Sequence, residues 1–248
     1  RTLLLTAYGD LETSQLHEKP AGRKPIDTRT IPLSRLHEVS NAVERRLADG
    51  AKVYWVCPLV EESEVSDLAA AEDRYAELKA RLGDRVTLIH GRMKGPEKDA
   101  AMARFAEGPP SILVATTVIE VGVDVPDATV MIIEHAERFG LAQLHQLRGR
   151  VGRGANQSTC LLLYKEPLNI SSKKRLSILR ETEDGFKISE VDLNLRGSGD
   201  AIGTAQSGLP RFRMANIEII EKLMETAHQQ ARYLLANCLL YTSPSPRD

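Results

Sequence analysis

The chain has 248 residues, more than the roughly 150 typical of one domain, so it can hold one large domain or a domain with an appendage. Hydrophobic residues make up 42% of it and charged residues 27%, which excludes collagen, intrinsically disordered chains and disulfide-rich scaffolds. The 33 Lys and Arg balance the 34 Asp and Glu, so a polyanion could bind only at a local basic patch.

Short apolar runs alternate with predicted helices from Ser34 onward. Ser34 can cap a helix whose apolar residues follow the helical period until Gly50 ends it. A second helix is predicted from about Arg74 to Leu82, and a third begins at Gly95, where the following proline suits the first turn. The predicted strands are residues 52–58, 86–90, 111–115, 130–133 and 159–164.

This alternation predicts an α/β fold, in which a parallel sheet is buried on both faces and sandwiched by helices. In open sheets of this type, ligands bind in the crevice beyond the carboxyl ends of the strands. The loops that begin at His90, Ala115 and Glu134 are therefore candidate binding loops.

The chain changes character after residue 170, where Lys- and Arg-rich helical stretches replace the strands. They flank a Gly- and Ser-rich segment at residues 196–208 that is predicted to be a loop. A last helix is predicted around residues 216–235, and the Ser-Pro repeats after it cannot extend a helix. We predict a lobe over residues 1–170, a helical appendage with a loop over 171–236, and a tail over 237–248 that is disordered or foreign to the natural protein.

The cysteines Cys57, Cys160 and Cys238 lie far apart, and no Cys or His lies near them at the spacing of a zinc site. Their odd number indicates reduced thiols in a cytoplasm-like compartment, and we expect no metal site on this chain. No apolar run approaches the roughly 20 residues of a membrane-spanning helix, and the first residues lack a signal-peptide layout. A membrane protein or a secreted protein is therefore not expected.

The most informative segment is residues 146–153, QLRGRVGR, in which three arginines and two glycines follow a glutamine. Guanidinium groups bind phosphate oxygens in pairs, and glycine lets the backbone approach a ligand closely. Arginines that face a phosphoryl group in transfer also stabilise its developing charge. The alternative is a solvated basic helix face, but two glycines would weaken such a helix without any gain. The segment therefore predicts an anion site.

Two other segments follow predicted strands. Residues 115–126, ATTVIEVGVDVP, place hydroxyl groups at a strand end and a glycine and a carboxylate before a proline, which suits phosphate or ribose contacts. By itself this pattern fits equally well a capped short helix followed by a turn. Residues 90–93, HGRM, could contact a nucleic-acid backbone through glycine and arginine, although four residues alone are a weak signal.

Taken together, these segments resemble the second RecA-like lobe of the superfamily 2 helicases. Residues 146–153 resemble helicase motif VI, residues 115–126 resemble motif V, and residues 53–64 resemble motif IV. Three more stretches narrow the resemblance to the RecG family, and the last of them is similar to the translocation motif that this family shares with the transcription-repair coupling factor. They are residues 8–14, 136–145 and 191–208.

The resemblance implies a nucleotide side of the lobe. Arg150 and Arg153 would be arginine fingers that reach ATP bound on a first lobe, and Gln146 would contact the region of the γ-phosphate. Gly122 and Asp124 would belong to the nucleotide side of motif V. ATP with Mg²⁺ is the implied cofactor. Because the chain has no GxxxxGK[ST] phosphate loop and no DExH box, the metal ligands are expected on the first lobe.

The resemblance also implies a DNA side. Arg92 would touch DNA phosphates, and Thr116 and Thr117 would lie between the nucleotide and the DNA backbone. Arg196 and Gln206 would link closure of the lobes to movement on duplex DNA. The implied partner is branched double-stranded DNA, such as stalled forks and Holliday junctions. The implied whole enzyme is a monomer in the bacterial cytoplasm, associated with the nucleoid.

The missing phosphate loop leads us to expect that this chain is inactive alone and belongs to a longer protein with a wedge domain and a first RecA-like lobe. One alternative is the equivalent part of a transcription-repair coupling factor. Another is a non-catalytic helicase-like module that only binds DNA, although such a module would have no physical need for paired arginine fingers. A stand-alone nuclease or metalloenzyme is disfavoured, since no carboxylate or His cluster has suitable spacing.

Overall fold

A computed structural model describes residues 24–58, 64–116, 125–199 and 217–238. The described residues up to 199 belong to one compact unit, whereas the helix at 217–238 belongs to a second. The sheet, and the sites considered below, belong to the first unit.

Six parallel strands form the sheet of the first unit. They are β1 (Asp27–Pro32), β2 (Lys52–Val56), β3 (Val86–Ile89), β4 (Ile112–Ala115), β5 (Ala128–Ile133) and β6 (Thr159–Tyr164). Their order across the sheet is β1-β6-β5-β2-β4-β3. Strands β2 to β6 lie where the apolar runs predicted them, and β1 is an edge strand that the sequence did not reveal.

Helices cover both faces of this sheet, which confirms the predicted RecA-like α/β sandwich. The helices α1 (Leu36–Ala48) and α2 (Glu64–Leu82) pack on one face. The other face carries α3 (Gly95–Glu107), α4 (Leu141–Arg148), α5 (Ile170–Glu181) and α6 (Gly185–Gly199). The second unit contributes α7 (Ile217–Cys238).

Strand β2 shows how the sheet divides the core. Its five residues are all buried, and successive side chains point to opposite faces. Val53 and Trp55 pack with α1 and α2. Tyr54 packs on the other face, where its ring centroid lies 4.9 Å from that of Phe105 on α3. A strand buried on both faces has no polar side, which is why it reads as a continuous apolar run.

The helices after residue 170 pack on the lobe. Helix α5 contacts β1, and α6 contacts both α4 and α5. The predicted boundary at residue 170 therefore lies inside the compact unit, and the division into lobe and appendage stays a prediction.

Two segments differ from their predicted structure. Residues 196–199 continue α6 instead of beginning a loop. Each glycine costs a helix only about 1 kcal/mol, which packing against α4 and α5 can offset. Helix α7 ends at Cys238, two residues into the predicted tail, whose residues 239–248 lie outside the described ranges.

The thiols of Cys57 and Cys160 are free and buried. Burial raises the pKa of both, that of Cys160 to about 12, so both stay protonated in the folded protein. Among the described residues, no three or more His, Cys, Asp or Glu side chains cluster as a metal site would require. None of the described helices is both long enough and apolar enough to cross a membrane.

Candidate functional site

The arginine-rich segment at residues 146–153 lies at the amino edge of the sheet. It begins inside α4 and continues into the loop that leads to β6. A Cβ atom built on Gly152 would lie 2.9 Å from Cγ1 of Ile26, the residue before β1, and one on Gly154 would lie 2.8 Å from the carbonyl oxygen of Pro126, just ahead of β5. Ile26 and Pro126 therefore place this segment at the amino ends of β1 and β5.

The three arginines of this segment have different surroundings. Arg148 is only 2% exposed, and its guanidinium donates to the carbonyl oxygens of Leu179 at 2.5 Å and Thr182 at 3.0 Å. Burial lowers its pKa. Arg150 is half-buried and Arg153 is exposed, with its Nε donating to the carbonyl oxygen of Gly149 at 3.2 Å. The predicted crowding of three arginines at an anion therefore reduces to Arg150 and Arg153.

Gln146 is exposed on α4, so its amide can meet a ligand at the same edge. A Cβ atom on Gly149, the first glycine of this segment, would lie 3.4 Å from the carbonyl oxygen of Gln146, and one on Gly152 would lie against Ile26. The close approach of these glycines to a ligand stays a prediction. Gly152 has φ +75°, a backbone conformation that side chains with a Cβ atom rarely adopt. It turns the chain between Arg150 and Arg153.

Replacing Gly152 with alanine is expected to lower the free energy of unfolding by about 1–2 kcal/mol, because alanine is strained at positive φ and its methyl group would press on Ile26. Urea denaturation followed by circular dichroism measures the change. Gly95→Ala is the control, since a Cβ there, in the first turn of α3, meets nothing within 4 Å. Equal stability of the two variants would contradict the strain at Gly152.

The opposite, carboxyl edge of the sheet holds the second group of predicted residues. Arg92 is exposed in the turn after β3, where the backbone N–H of Met93 donates to the carbonyl oxygen of His90 at 3.2 Å. Thr116 follows β4 and is 1% exposed. Its backbone N–H donates to the carbonyl oxygen of Ile89 at 3.2 Å. Buried polar atoms normally have partners, yet Thr116 Oγ1 and His90 Nδ1 have none within the described part of the chain.

A buried network at this edge was missed by sequence reasoning. The carboxylate of Glu134, which follows β5, accepts a hydrogen bond from Trp55 Nε1 at 2.5 Å and from Arg74 Nε at 2.6 Å. The guanidinium of Arg74 also lies 5.7 Å from the centroid of the Trp55 ring. Burial opposes a charge on Arg74, but the bond and attraction from Glu134 outweigh it and raise its pKa.

This network fastens the carboxyl ends of β2 and β5 to α2, so the carboxylate of Glu134 serves the fold and not a ligand. A buried indole N–H needs a hydrogen-bond acceptor. The sequence signal that could have indicated this acceptor was Glu134, an acidic residue directly after a buried strand.

The turn between β5 and α4 is fixed by side chains. His135 has φ +50°, and its Nδ1 lies 3.0 Å from Oε1 of Glu137. Burial opposes ionisation of Glu137, but its bonds to His135 and to backbone N–H groups outweigh this and lower its pKa. Arg175 on α5 donates to the carbonyl oxygens of Phe139 at 2.6 Å and Glu137 at 3.0 Å. These contacts set where α4 begins.

The remaining predicted residues cannot be located. Thr117, Gly122, Asp124 and Gln206 lie outside the described residues, and Arg196 is described only as part of α6. The located residues form two groups at opposite edges of the sheet, with Gln146, Arg150 and Arg153 at the amino edge and Arg92 and Thr116 at the carboxyl edge.

Two family models match this chain. Residues 34–155 match the helicase conserved C-terminal domain, a range that includes β2 to β5 and both groups of residues. Residues 182–245 match the C-terminal part of domain 3 of the ATP-dependent DNA helicase RecG. The chain belongs to the RecG family.

Known RecG proteins are similar over almost the whole chain. The ATP-dependent DNA helicase RecG of Acidithiobacillus ferridurans is 53% identical over 236 residues, which are 95% of this chain and 34% of that protein. RecG of Escherichia coli strain K12 is 50% identical over 236 residues, 94% of this chain and 34% of that protein. The chain thus spans about a third of the length of these relatives.

A solved structure of RecG bound to a three-way DNA junction has the same fold. It superposes with a TM-score of 0.70 at 42% sequence identity and covers 90% of this chain and 29% of the RecG chain.

Proposed function

We propose that this chain is the second motor lobe of an ATP-dependent DNA helicase of the RecG family, which remodels stalled forks and Holliday junctions in repair and recombination. The observation that carries the proposal is the division of the candidate residues between two opposite edges of one sheet. A motor lobe needs this arrangement, because it must meet a nucleotide on one side and DNA on the other.

The amino edge suits a nucleotide held by another lobe. Arg153 is exposed and Arg150 half-exposed, and both follow a helix that is firmly packed in the core. Guanidinium groups held on a rigid element can enter a phosphate site when two lobes close, and they would stabilise the charge of phosphoryl transfer. The closed arrangement of the lobes would then bind ATP more tightly than ADP, and this difference in affinity would couple hydrolysis to a conformational cycle.

The residues present fit ATP but not a resident metal. The exposed arginines match phosphate oxygens, whereas no cluster of metal-binding side chains occurs in the described ranges. Mg²⁺, which neutralises phosphate charge in such sites, would be held by the other lobe. In this chain, Arg150 and Arg153 would hold the phosphoryl group in transfer, and Gln146 would contact the region of the γ-phosphate.

The carboxyl edge suits the backbone of DNA. Arg92 is exposed there and offers a charge to phosphates. Thr116 and Thr117 would lie between the nucleotide and the DNA backbone, and Arg196 and Gln206 would couple lobe closure to translocation. Such contacts carry no base code, so the shape of branched DNA and not its sequence would determine binding. The relative that is bound to a three-way DNA junction supports this partner.

Replacing Arg92 with alanine is expected to weaken DNA binding by a few-fold and to reduce the slope of log affinity against log salt by about one, because one phosphate contact is lost. Titration of a labelled three-way junction at several salt concentrations measures both. Arg85→Ala is the matched control, because Arg85 is exposed directly before β3, whereas Arg92 follows it. Equal salt slopes for Arg92→Ala and wild type would contradict the contact.

The test of the proposed function is DNA-dependent ATP hydrolysis by a chimera, in which this chain replaces the matching third of the Escherichia coli relative. We expect no hydrolysis by the chain alone, and hydrolysis with junction unwinding by the chimera. The Escherichia coli protein without that third is the background control. A folded, DNA-binding chimera without hydrolysis would favour the non-catalytic module instead.

A further inference from the structure

A cavity of about 490 Å³ lies on the sheet face that α1 covers. Helix α1 packs on β2, and the cavity opens beside it over the outer strands β1 and β6. Its floor is apolar, where Val43 and Val130 are buried and Ile31 and Leu161 are only partly buried. Apolar surface that stays accessible at the bottom of a cavity gains free energy when a ligand covers it.

The rim of this cavity is charged. It carries four arginines and two acids, which leaves an excess of two positive charges. Nη2 of Arg29 lies 2.7 Å from Oδ2 of Asp27, and Arg35 donates to both carboxylate oxygens of Glu38, at 2.9 and 2.6 Å. Exposed ion pairs of this kind add little to stability. They do hold the guanidinium groups in place, and each guanidinium keeps further N–H donors for a ligand because it has five.

The arginines lie at both ends of the cavity. Arg35 directly precedes α1, whereas Arg45 and Arg46 are in its last turn. The ten residues from Arg35 to Arg45 correspond to about 15 Å along a helix. Arginine side chains are long, so those at the two ends can reach inward over the apolar floor. A matching ligand is therefore anionic at both ends and has an uncharged body between them.

The size of the cavity narrows the choice of ligand. Its volume is within the range of small-molecule sites and equals that of roughly sixteen waters, far more than a phosphate ion fills. Guanidinium groups bind phosphates in pairs and also stack on flat rings. At the amino end of β6, Gln157 and Thr159 add an amide and a hydroxyl that can meet the edge of a base.

We propose that this cavity binds a nucleotide that carries phosphates on both its 3′ and its 5′ oxygen. The nucleoside covers the apolar floor, and the phosphates meet the arginines at the two ends. This site differs from the proposed ATP site, because α4, which carries Gln146, packs on the opposite face of the sheet. It needs no second lobe and does not rest on the proposed function.

The test is calorimetric titration of the 248-residue chain with adenosine 3′,5′-bisphosphate. ADP is the matched ligand, since it has the same base and the same number of phosphates, all on one oxygen. We expect the bisphosphate to bind about ten-fold more tightly, the scale of one charge-assisted hydrogen bond. Equal affinity for the two nucleotides would overturn the inference. Inorganic phosphate that binds as tightly as the bisphosphate would also overturn it, because the site would then recognise an anion alone.

Three variants locate the binding. Arg35→Ala and Arg45→Ala each remove the charge at one end, and Ala42→Leu fills the cavity from α1 without a change in charge. Each should weaken binding of the bisphosphate by about ten-fold or more. Arg180→Ala on α5 is the control for surface charge, and Arg153→Ala tests separation from the ATP site; both should keep the wild-type affinity.

Wild-type affinity in Ala42→Leu and Arg45→Ala would overturn the inference, as would an equal loss in Arg180→Ala. A chain that binds an acidic peptide but none of the nucleotides would assign the cavity to a protein partner instead. A chimera without ATP hydrolysis would contradict the proposed function and leave this site unaffected, because the titration uses the chain alone.

Discussion

Replacing Arg153 with alanine is expected to lower ATP turnover by about 1,000-fold, because an arginine finger stabilises charge that develops only in the transition state. The side chain is exposed and its Nε donates to the backbone carbonyl of Gly149, so its removal leaves the core intact. Steady-state hydrolysis by the chimera, with saturating three-way junction, measures the loss. Affinity for the junction should remain at the wild-type value.

Arg180→Ala is the control for a change in surface charge, since Arg180 is an exposed arginine on α5. It should retain full turnover. Wild-type turnover by Arg153→Ala would show that Arg153 is not a finger. A loss of junction binding in the same variant would instead place Arg153 on the DNA side, contrary to its position at the amino edge.

Replacing Trp55 with alanine is expected to lower the free energy of unfolding by about 3–5 kcal/mol, as for other large buried aromatic residues. Trp55 has no exposed surface, and its indole donates to the buried carboxylate of Glu134. The change therefore leaves a cavity and also removes one donor from a buried charge. Urea denaturation followed by circular dichroism measures the loss.

Trp55→Phe separates these two contributions, because phenylalanine fills much of the volume but cannot donate to Glu134. We expect its free energy of unfolding to lie between that of Trp55→Ala and that of the wild type. If the alanine variant lost less than about 1 kcal/mol, the packing around β2 would be looser than described.

The buried part of the fold could be predicted from the sequence, whereas its edge could not. Strands β2 to β6 are apolar on both faces, and such runs are the strongest signal that a sequence carries. Strand β1 contains Thr28, Arg29 and Thr30, so its composition resembles a loop. Its strand conformation depends on pairing with β6, which local composition does not encode.

The sequence predicted which residue types form the candidate site, but it did not predict at which edge of the sheet they lie. Sequence reasoning favoured the carboxyl ends of the strands, which hold Arg92 and Thr116. The helix α4 carries the chain back across the sheet, by about 12 Å over eight residues, and delivers Arg150 and Arg153 to the other edge. Nor could the sequence separate Arg148 from these two, since its burial depends on contacts with α5, where Leu179 lies 31 residues later.

The pairing of β1 with β6 also has a consequence for synthesis. Paired residues on these two strands, such as Asp27 and Thr159, are 132 positions apart. At ribosomal rates of about 5–20 residues per second, β1 leaves the ribosome roughly 10 s before its partner. During that interval it is an unpaired strand next to other nascent chains. Its threonines and arginine keep it hydrated and make it a poor template for aggregation. The same polar residues that make β1 resemble a loop in the sequence therefore protect the nascent chain from aggregation.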